Sequence, residues 1–230
     1  MSTIAIVPLK RFADAKQRLS PALDPTARRM LVAAMADDVL AALRATRGVA
    51  ATLIVTREPE AVALAHERGA TPVPDPGDSL DGAVSAGLRA AAARGATRAL
   101  IVSGDCPALD PAELDALLAE PLAPAPASHP GASVVVVPDR HGDGTNALLL
   151  APPDAIAPAF GPGSRARHVT AARAAGARVR LAHAPSLALD VDTREDLERL
   201  ERALAGGWTS GRAAHTRRAL TSLTTAPAPR

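Results

Sequence analysis

Aromatic side chains are nearly missing from this chain. Phe12, Phe160 and Trp208 are the only three among 230 residues. A stacking platform for single-stranded nucleic acid needs several exposed rings, so that class of function is excluded. A core must then be built from Ala, Leu and Val, which suits a sheet covered by Ala-rich helices. Cysteine is just as scarce. Cys106 stands alone, which rules out an intrachain disulfide and leaves no CxxC partner for a metal-thiolate site. Neither a leader-like N-terminus nor a long apolar run is present, so the cytoplasm is the expected compartment and no membrane is expected as a partner. No G-x-G-x-x-G follows the first apolar segment, no G-x-x-x-x-G-K-[ST] occurs, and no G-x-S-x-G elbow exists. These absences weigh against a dinucleotide-dependent dehydrogenase, a P-loop GTPase and an elbow-type hydrolase.

Lysine and the side-chain amides are scarce too. Of 26 basic residues only Lys10 and Lys16 are lysines, and Asn146 and Gln17 are the sole Asn and Gln. A bias towards Arg and Ala has replaced these types wherever the exchange was harmless. Where Lys survives, its compact charge on a thin stem is the property that a planar Arg fork cannot copy. The formal charge of +2 is unevenly spread. Residues 206–230 hold four Arg and no acid, and setting those aside leaves the body at −2. The basic isoelectric point therefore says little about a nucleic-acid surface, and nucleic acid is not expected as a partner.

Apolar runs alternate with amphipathic ones. Strands are expected at Thr3–Val7, Thr52–Thr56, Thr71–Val73, Ala99–Val102, Val134–Val137, Ala147–Leu150 and Val179–Ala182. Helices are expected from Asp24-Pro25 to Leu43, and at Glu58–Arg68, Ser79–Arg94, Pro111–Leu118, Ser164–Ala175 and Thr193–Ala205. This alternation predicts a three-layer α/β/α fold around a mostly parallel sheet, with ligands at the C-terminal ends of its strands. Residues 1–205 read as a single domain. Pro121–Gly131 reads as a Pro/Ala-rich connection, and 206–230 as a mobile or disordered basic tail.

Five constellations carry the chemistry. VPLKRFADAKQRL, at Val7–Leu19, sets Lys10, Arg11, Lys16 and Arg18 after a buried strand, where they suit a polyphosphate or, equally, a solvated basic loop. Asp105 ends an apolar strand, as a Mg²⁺ ligand or a turn-forming Asp would. In ALDVDTREDL, Asp190 and Asp192 alternate on one side of an extended segment, and Asp190 paired with Asp105 can complete a divalent-metal site. In VPDRHGDGTNALLL, Gly142 and Gly144 mark a hairpin-type turn, with Thr145 and Asn146 facing the site. In FGPGSRARH, Gly161, Gly163 and Ser164 precede a helix whose amides suit an anion, and His168 is a contact or a packing residue.

Together these segments, with MADDVLAAL, GDCPAL and the others in order over roughly residues 4 to 200, resemble the 2-phospho-L-lactate guanylyltransferase family. Its bacterial members include phosphoenolpyruvate guanylyltransferases of coenzyme F-420 biosynthesis. The resemblance implies a GT-A-like nucleotidyltransferase fold, GTP as donor, Mg²⁺ (expected as two ions), and a small phosphorylated carboxylic acid as acceptor. It puts the metal-binding aspartates on Asp105 and Asp190, with Asp192 open. Acceptor contacts fall on Thr145, Gly161 and Ser164, with Asn146 and Gly144 beside them. The triphosphate-binding loop falls on Lys10 and Lys16, with Arg18. The nucleotide segment falls on Ser79, Leu80 and Asp81, where Asp81 replaces a usual Asn. The expected acceptors are phosphoenolpyruvate first, then 2-phospholactate or 3-phosphoglycerate. A homodimer is left open. Two alternatives remain: a nucleotidyltransferase of molybdenum-cofactor or sugar-nucleotide type, and a non-catalytic GTP-binding protein.

Overall fold

In a computed structural model of the chain, residues 1–77, 79–120, 131–206 and 212–225 are described. Seven strands form one sheet in the order β3-β2-β1-β4-β6-β5-β7. They are β1 (Thr3–Leu9), β2 (Ala51–Thr56), β3 (Thr71–Pro74), β4 (Arg98–Val102), β5 (Ser133–Pro138), β6 (Thr145–Ala151) and β7 (Arg178–Leu181). β1 pairs in parallel with β2 and β4, and β5 pairs in parallel with β7. β6 runs antiparallel to both of its neighbours, so the sheet is mostly parallel as expected.

Alternate residues of each strand enter opposite core layers. On β1, Ala5, Val7 and Leu9 face one layer, while Ile4 and Ile6 face the other. The first layer is closed by helices α1 (Pro25–Ala45), α2 (Pro59–Arg68), α4 (Pro111–Ala119) and α7 (Arg194–Ala205), and by the one-turn α6 (Pro185–Ala188). The second is closed by α3 (Leu80–Ala93) and α5 (Ser164–Ala174). Local chemistry sets the helix starts. Asp24 accepts the Ala27 amide ahead of Pro25, Ser79 accepts the Gly82 amide, and Thr193 with Asp196 forms a reciprocal capping box.

Two features of this topology make the site. The chain winds outward from β1 through β2 to β3, then returns to place β4 on the other side of β1. The C-terminal ends of β1 and β4 therefore flank the switch point where open α/β sheets take ligands. The reversed β6 brings its first residues, not its last, to that same edge. Ala147 pairs with Val102, and the Ser103 amide donates to the Asn146 carbonyl at 3.0 Å.

The C-terminal segment departs from expectation. Residues 214–225 form a helix, α8 (Ala214–Thr225), docked on α1, where a mobile or disordered tail was expected over 206–230. Its start is held from outside. Asp38 of α1 accepts the backbone amides of His215 and Thr216 at 3.0 and 2.8 Å, and Arg217 donates to the Leu204 carbonyl at 2.9 Å. Ala213 is buried and Leu220 packs on the same core layer. With few large apolar residues and its capping carboxylate about 177 positions away, the segment carried no local sign of a helix. The Pro/Ala-rich connection at 121–130 and residues 207–211 and 226–230 lie outside the described residues.

Asp38 is buried and takes two amides that α8 cannot satisfy itself. Replacing Asp38 with Ala should cost about 1–2 kcal/mol of folding stability. Chemical denaturation followed by circular dichroism measures this, and an unchanged midpoint would show that α8 does not depend on Asp38.

Candidate active site

The switch-point edge encloses a cavity of about 440 Å³, lined by Lys10, Phe12, Lys16, Leu80, Ser103, Asp105, Thr145, Phe160 and Asp192 among others. A neighbouring cavity of about 320 Å³ opens beside it and is lined by Lys10, Arg11, Arg57, Asp75, Gly77, Ser79 and Leu80. Lys10 and Leu80 border both, so the two form adjoining compartments of one edge.

Lys16 is the charge at the centre. It sits between two short 3-10 turns, Phe12–Asp14 and Gln17–Leu19, with left-handed backbone angles of φ 53° and ψ 40°. A residue with a Cβ adopts that conformation at a cost of about 1–2 kcal/mol, which surrounding contacts must offset. Here they are ionic. The Lys16 ammonium donates to Asp105 in a short ion pair and to Asp192 Oδ1 at 2.6 Å. Burial works to lower the pKa of this ammonium, but Asp105 and Asp192 together outweigh burial and the net shift is upward. Asp105 shows the mirror image. Burial pushes its carboxyl up, but Lys16 and the hydroxyl of Ser103 hold it below the usual carboxylate value.

Asp190 has no such cation. Its carboxylate accepts from the Asn146 side chain at 3.1 Å, and the same amide also donates to the Leu187 carbonyl at 2.9 Å. Burial, then the negative charge of Asp105, with a smaller push from Asp192, raises the Asp190 pKa to about 6. The segment between α6 and α7 is pinned against the β4 loop by the Val191 amide, which donates to the Asp105 carbonyl at 3.1 Å. Gly104 lets that loop lie against β1, because a Cβ there would collide with Leu9.

The residues expected to meet the acceptor form a second network. Thr145 Oγ1 receives His168 Nδ1 at 3.1 Å and the Ser164 hydroxyl at 3.2 Å, and all three residues are buried. The loop before α5 is tied at several points. Asp81 Oδ1 accepts the Phe160 amide at 2.7 Å, and Arg167 donates to the Ala159, Phe160 and Pro162 carbonyls. Asp143 accepts the Gly163 amide at 2.8 Å. Gly144 is a structural glycine. Its amide donates to Asp139 Oδ2 at 3.0 Å, and a Cβ would come within 2.7 Å of that oxygen.

The expected residues thus separate. Lys10, Lys16, Asp105 and Thr145 line the larger cavity, Ser79 lines the smaller and Leu80 lines both. Asn146 and Ser164 stand behind it and hold Asp190 and Thr145. Gly161 shapes the turn into α5, its carbonyl accepting the Ser164 amide. Arg18 is exposed and lines neither cavity, and Asp81 is turned to the Phe160 amide. Asp192 is drawn in through Lys16, although the sequence left its part open. Phe160, Ser103 and the second role of Lys16 were not foreseen, because no spacing tells which carboxylate a distant lysine will meet.

Could this set hold a divalent cation? Among the described residues no group of three or more His, Cys, Asp and Glu forms a ready metal cage. However, Asp105 and Asp192 are already closed around one positive group, and Asp190 beside them lacks a compensating charge. The donors are all oxygens. That suits a hard ion which completes its shell with substrate phosphate and water rather than with protein alone. The fit is good.

This architecture defines the class. The chain shares its fold with a protein of Desulfovibrio desulfuricans G20 provisionally described as a nucleotide-diphospho-sugar transferase (TM-score 0.73, 18% identity, 97% of this chain and 96% of the other). A nucleotidyl transferase from Methanothermobacter thermautotroptrophicus has the same fold (TM-score 0.65, 21% identity, 89% and 98%). The family follows from sequence. Residues 3–221 match the family described as "Guanylyl transferase CofC like", and the chain belongs to it. It is 48% identical over 224 residues to a phosphoenolpyruvate guanylyltransferase of Conexibacter woesei, covering 97% of each chain. It is 44% identical over 200 residues to the protein of that name from Sphaerobacter thermophilus, covering 87% of this chain and 93% of the other. No described helix is long and apolar enough to cross a membrane.

The Asp190 shift gives a pH signature. Its folded-state pKa lies above the unfolded value, so its contribution is full below about 4 and is lost as pH rises through about 6. In metal-free protein, the stability of wild type relative to Asp190→Asn should therefore fall between pH 4 and 6 and level off above. His168 drives the opposite trend over this range but is common to both proteins, so it cancels in the difference. Denaturation midpoints at stepped pH measure this, and a flat difference would contradict the crowding of carboxylates described here.

Proposed function

We propose that this chain transfers GMP from GTP to a small phosphorylated carboxylic acid, phosphoenolpyruvate before 2-phospholactate or 3-phosphoglycerate, as a step of coenzyme F-420 biosynthesis. The observation that carries the reading is the convergence of Lys16, Asp105, Asp190 and Asp192 at the switch point, next to a hydroxyl-lined pocket. Membership of a guanylyl transferase family and two close relatives named for phosphoenolpyruvate support the donor and the first acceptor.

An oxygen of the acid's phosphate attacks the α-phosphorus of GTP. A new P–O–P bond forms, the bond from the α-phosphorus to its β-bridging oxygen breaks, and pyrophosphate leaves with the electron pair. A phosphate monoester is already largely ionised near pH 7, so the attacking oxygen needs no general base. Catalysis is then alignment and charge neutralisation. Mg²⁺ held by Asp105 and Asp190, as two ions when Asp192 also contributes, would neutralise phosphate charge.

Lys16 has two sets of partners to choose from. Without nucleotide it balances Asp105 and Asp192. A triphosphate brings more negative charge than those carboxylates, and Lys16 turns to it and to the departing pyrophosphate. Lys10, exposed where the compartments meet, adds a second cation, and Arg18 lies at the outer end of the same loop. The smaller compartment, with Asp75, Gly77, Ser79 and Leu80, receives the nucleoside. Thr145 receives the acid, with Ser164, Asn146 and Gly144 supporting it from behind and Gly161 shaping the turn into α5 beside it.

Purified protein with Mg²⁺ and GTP should release pyrophosphate only when one of the three acids is added, phosphoenolpyruvate giving the fastest release. Release without any acid would point to hydrolysis, and GTP binding without release would point to a non-catalytic role. Asp105→Ala should reduce turnover by at least about 1,000-fold while its circular dichroism spectrum stays native. A folded, fully active Asp105→Ala protein would remove Asp105 from the mechanism.

A further inference from the structure

His168 lies fully buried behind Thr145 and lines neither of the two cavities. Its bonds nevertheless fix what the pocket can offer. The Ala159 backbone amide donates to His168 Nε2 at 3.0 Å. A backbone N–H can only donate, so Nε2 must carry a lone pair. Burial pushes the imidazole pKa down to about 4, so the ring is neutral at physiological pH. The single ring proton is then on Nδ1, 3.1 Å from Thr145 Oγ1, and the ring donates to that oxygen. The Ser164 hydroxyl donates to the same oxygen at 3.2 Å. Both lone pairs of Thr145 Oγ1 are thereby occupied. Its own proton is the one hydrogen-bonding capacity left, and Thr145 lines the cavity that also holds Lys10 and Lys16.

We propose that His168 is a positioning residue for the phosphorylated acid: by donating from Nδ1 it makes Thr145 an obligate donor towards the cavity, so the pocket takes an acceptor oxygen, best an anionic one, and rejects a group that can only donate, such as an ammonium. The inference rests on the acceptor reading given above. The sequence gives the relay its rigidity. Phe160 packs edge-on against the His168 ring, with centroids 4.9 Å apart at 71°. The same loop is anchored by Asp81 through the Phe160 amide and by Arg167 through three carbonyls. Asp81 and Arg167 are also the charged groups felt by the ring, Asp81 favouring its protonation and Arg167 opposing it. Burial prevails over both, so the relay keeps one tautomer.

Two substitutions at one position separate this role from simple packing. His168→Asn places an amide N–H where Nδ1 stood and keeps the donor to Thr145. His168→Gln places its amide where Nε2 stood, holds Ala159 and abandons Thr145. The expected result is a KM for the acid raised about tenfold or more in His168→Gln, and within about threefold of wild type in His168→Asn. Thr145→Val should match His168→Gln. The KM for GTP should be unchanged in all three. Equal effects of the two His168 variants, or an unaffected Thr145→Val, would overturn the proposal.

A second readout does not depend on turnover. Nitrogen-15 shifts of the imidazole, assigned by their loss in His168→Asn, should show a ring protonated on Nδ1 alone at pH 7. A ring protonated on Nε2, or on both nitrogens, would overturn the relay. If wild-type protein turned over none of the acids, the acceptor reading would fail and the proposed ligand with it, while the nitrogen shifts would still decide the relay.

Discussion

The Lys16 ammonium, shared between Asp105 and Asp192, is the contact on which the functional edge depends. It joins the β1 loop to the β4 loop and to the segment before α7, far apart in sequence. Carboxylates gathered on one sheet edge repel one another, and the cation paired with two of them, Lys16, comes from a backbone held in a left-handed conformation. The ion pairs offset both the conformational cost at Lys16 and the repulsion among the aspartates, so neither feature would persist alone. That balance also makes the edge responsive. A ligand bringing phosphate for Lys16 and a divalent ion for the aspartates satisfies both sides together, whereas either alone leaves one side unmatched.

The rest of the edge is built to keep this cluster and the hydroxyl pocket in register. Reversal of β6 is the key structural step, because it sets Thr145 and Asn146 at the carboxyl ends of β1 and β4. Asn146 faces the carboxylates and holds Asp190, while Thr145 lines the cavity and bonds His168. Adjacent residues on one strand thus connect the two halves of the site. Around them the loops are cross-tied by fixed backbone bonds from Asp81, Asp139, Asp143 and Arg167. Such ties suit a reaction whose rate depends on aligning two phosphates more than on moving a proton.

Much of this was legible in the sequence, and the pattern of what was missed has a physical cause. The central strands were readable because buried runs such as Val134–Val137 and Ala147–Leu150 have no other stable place. The helix starts at Asp24, Ser79 and Thr193 were readable because their caps are local. Helix α8 was not, since its cap is Asp38 on another helix. Within the site, scarcity pointed to Lys16, which lines the cavity, and to Asn146, which holds Asp190 from behind it. Their partners could not be read, because a side chain's reach across a fold leaves no trace in spacing. Asp81 illustrates the limit. The sequence put it beside the nucleotide as a departure from the family, whereas its carboxylate holds the Phe160 amide, a bond an Asn oxygen could make equally well.

The central claim is that this edge joins two phosphates rather than cleaving one. Phosphorus-31 spectra of the purified protein with Mg²⁺, GTP and phosphoenolpyruvate test it directly. The account predicts a pair of mutually coupled phosphorus signals from a new P–O–P linkage, growing in step with pyrophosphate. Orthophosphate growing in place of that coupled pair would contradict it and make the site a hydrolytic one.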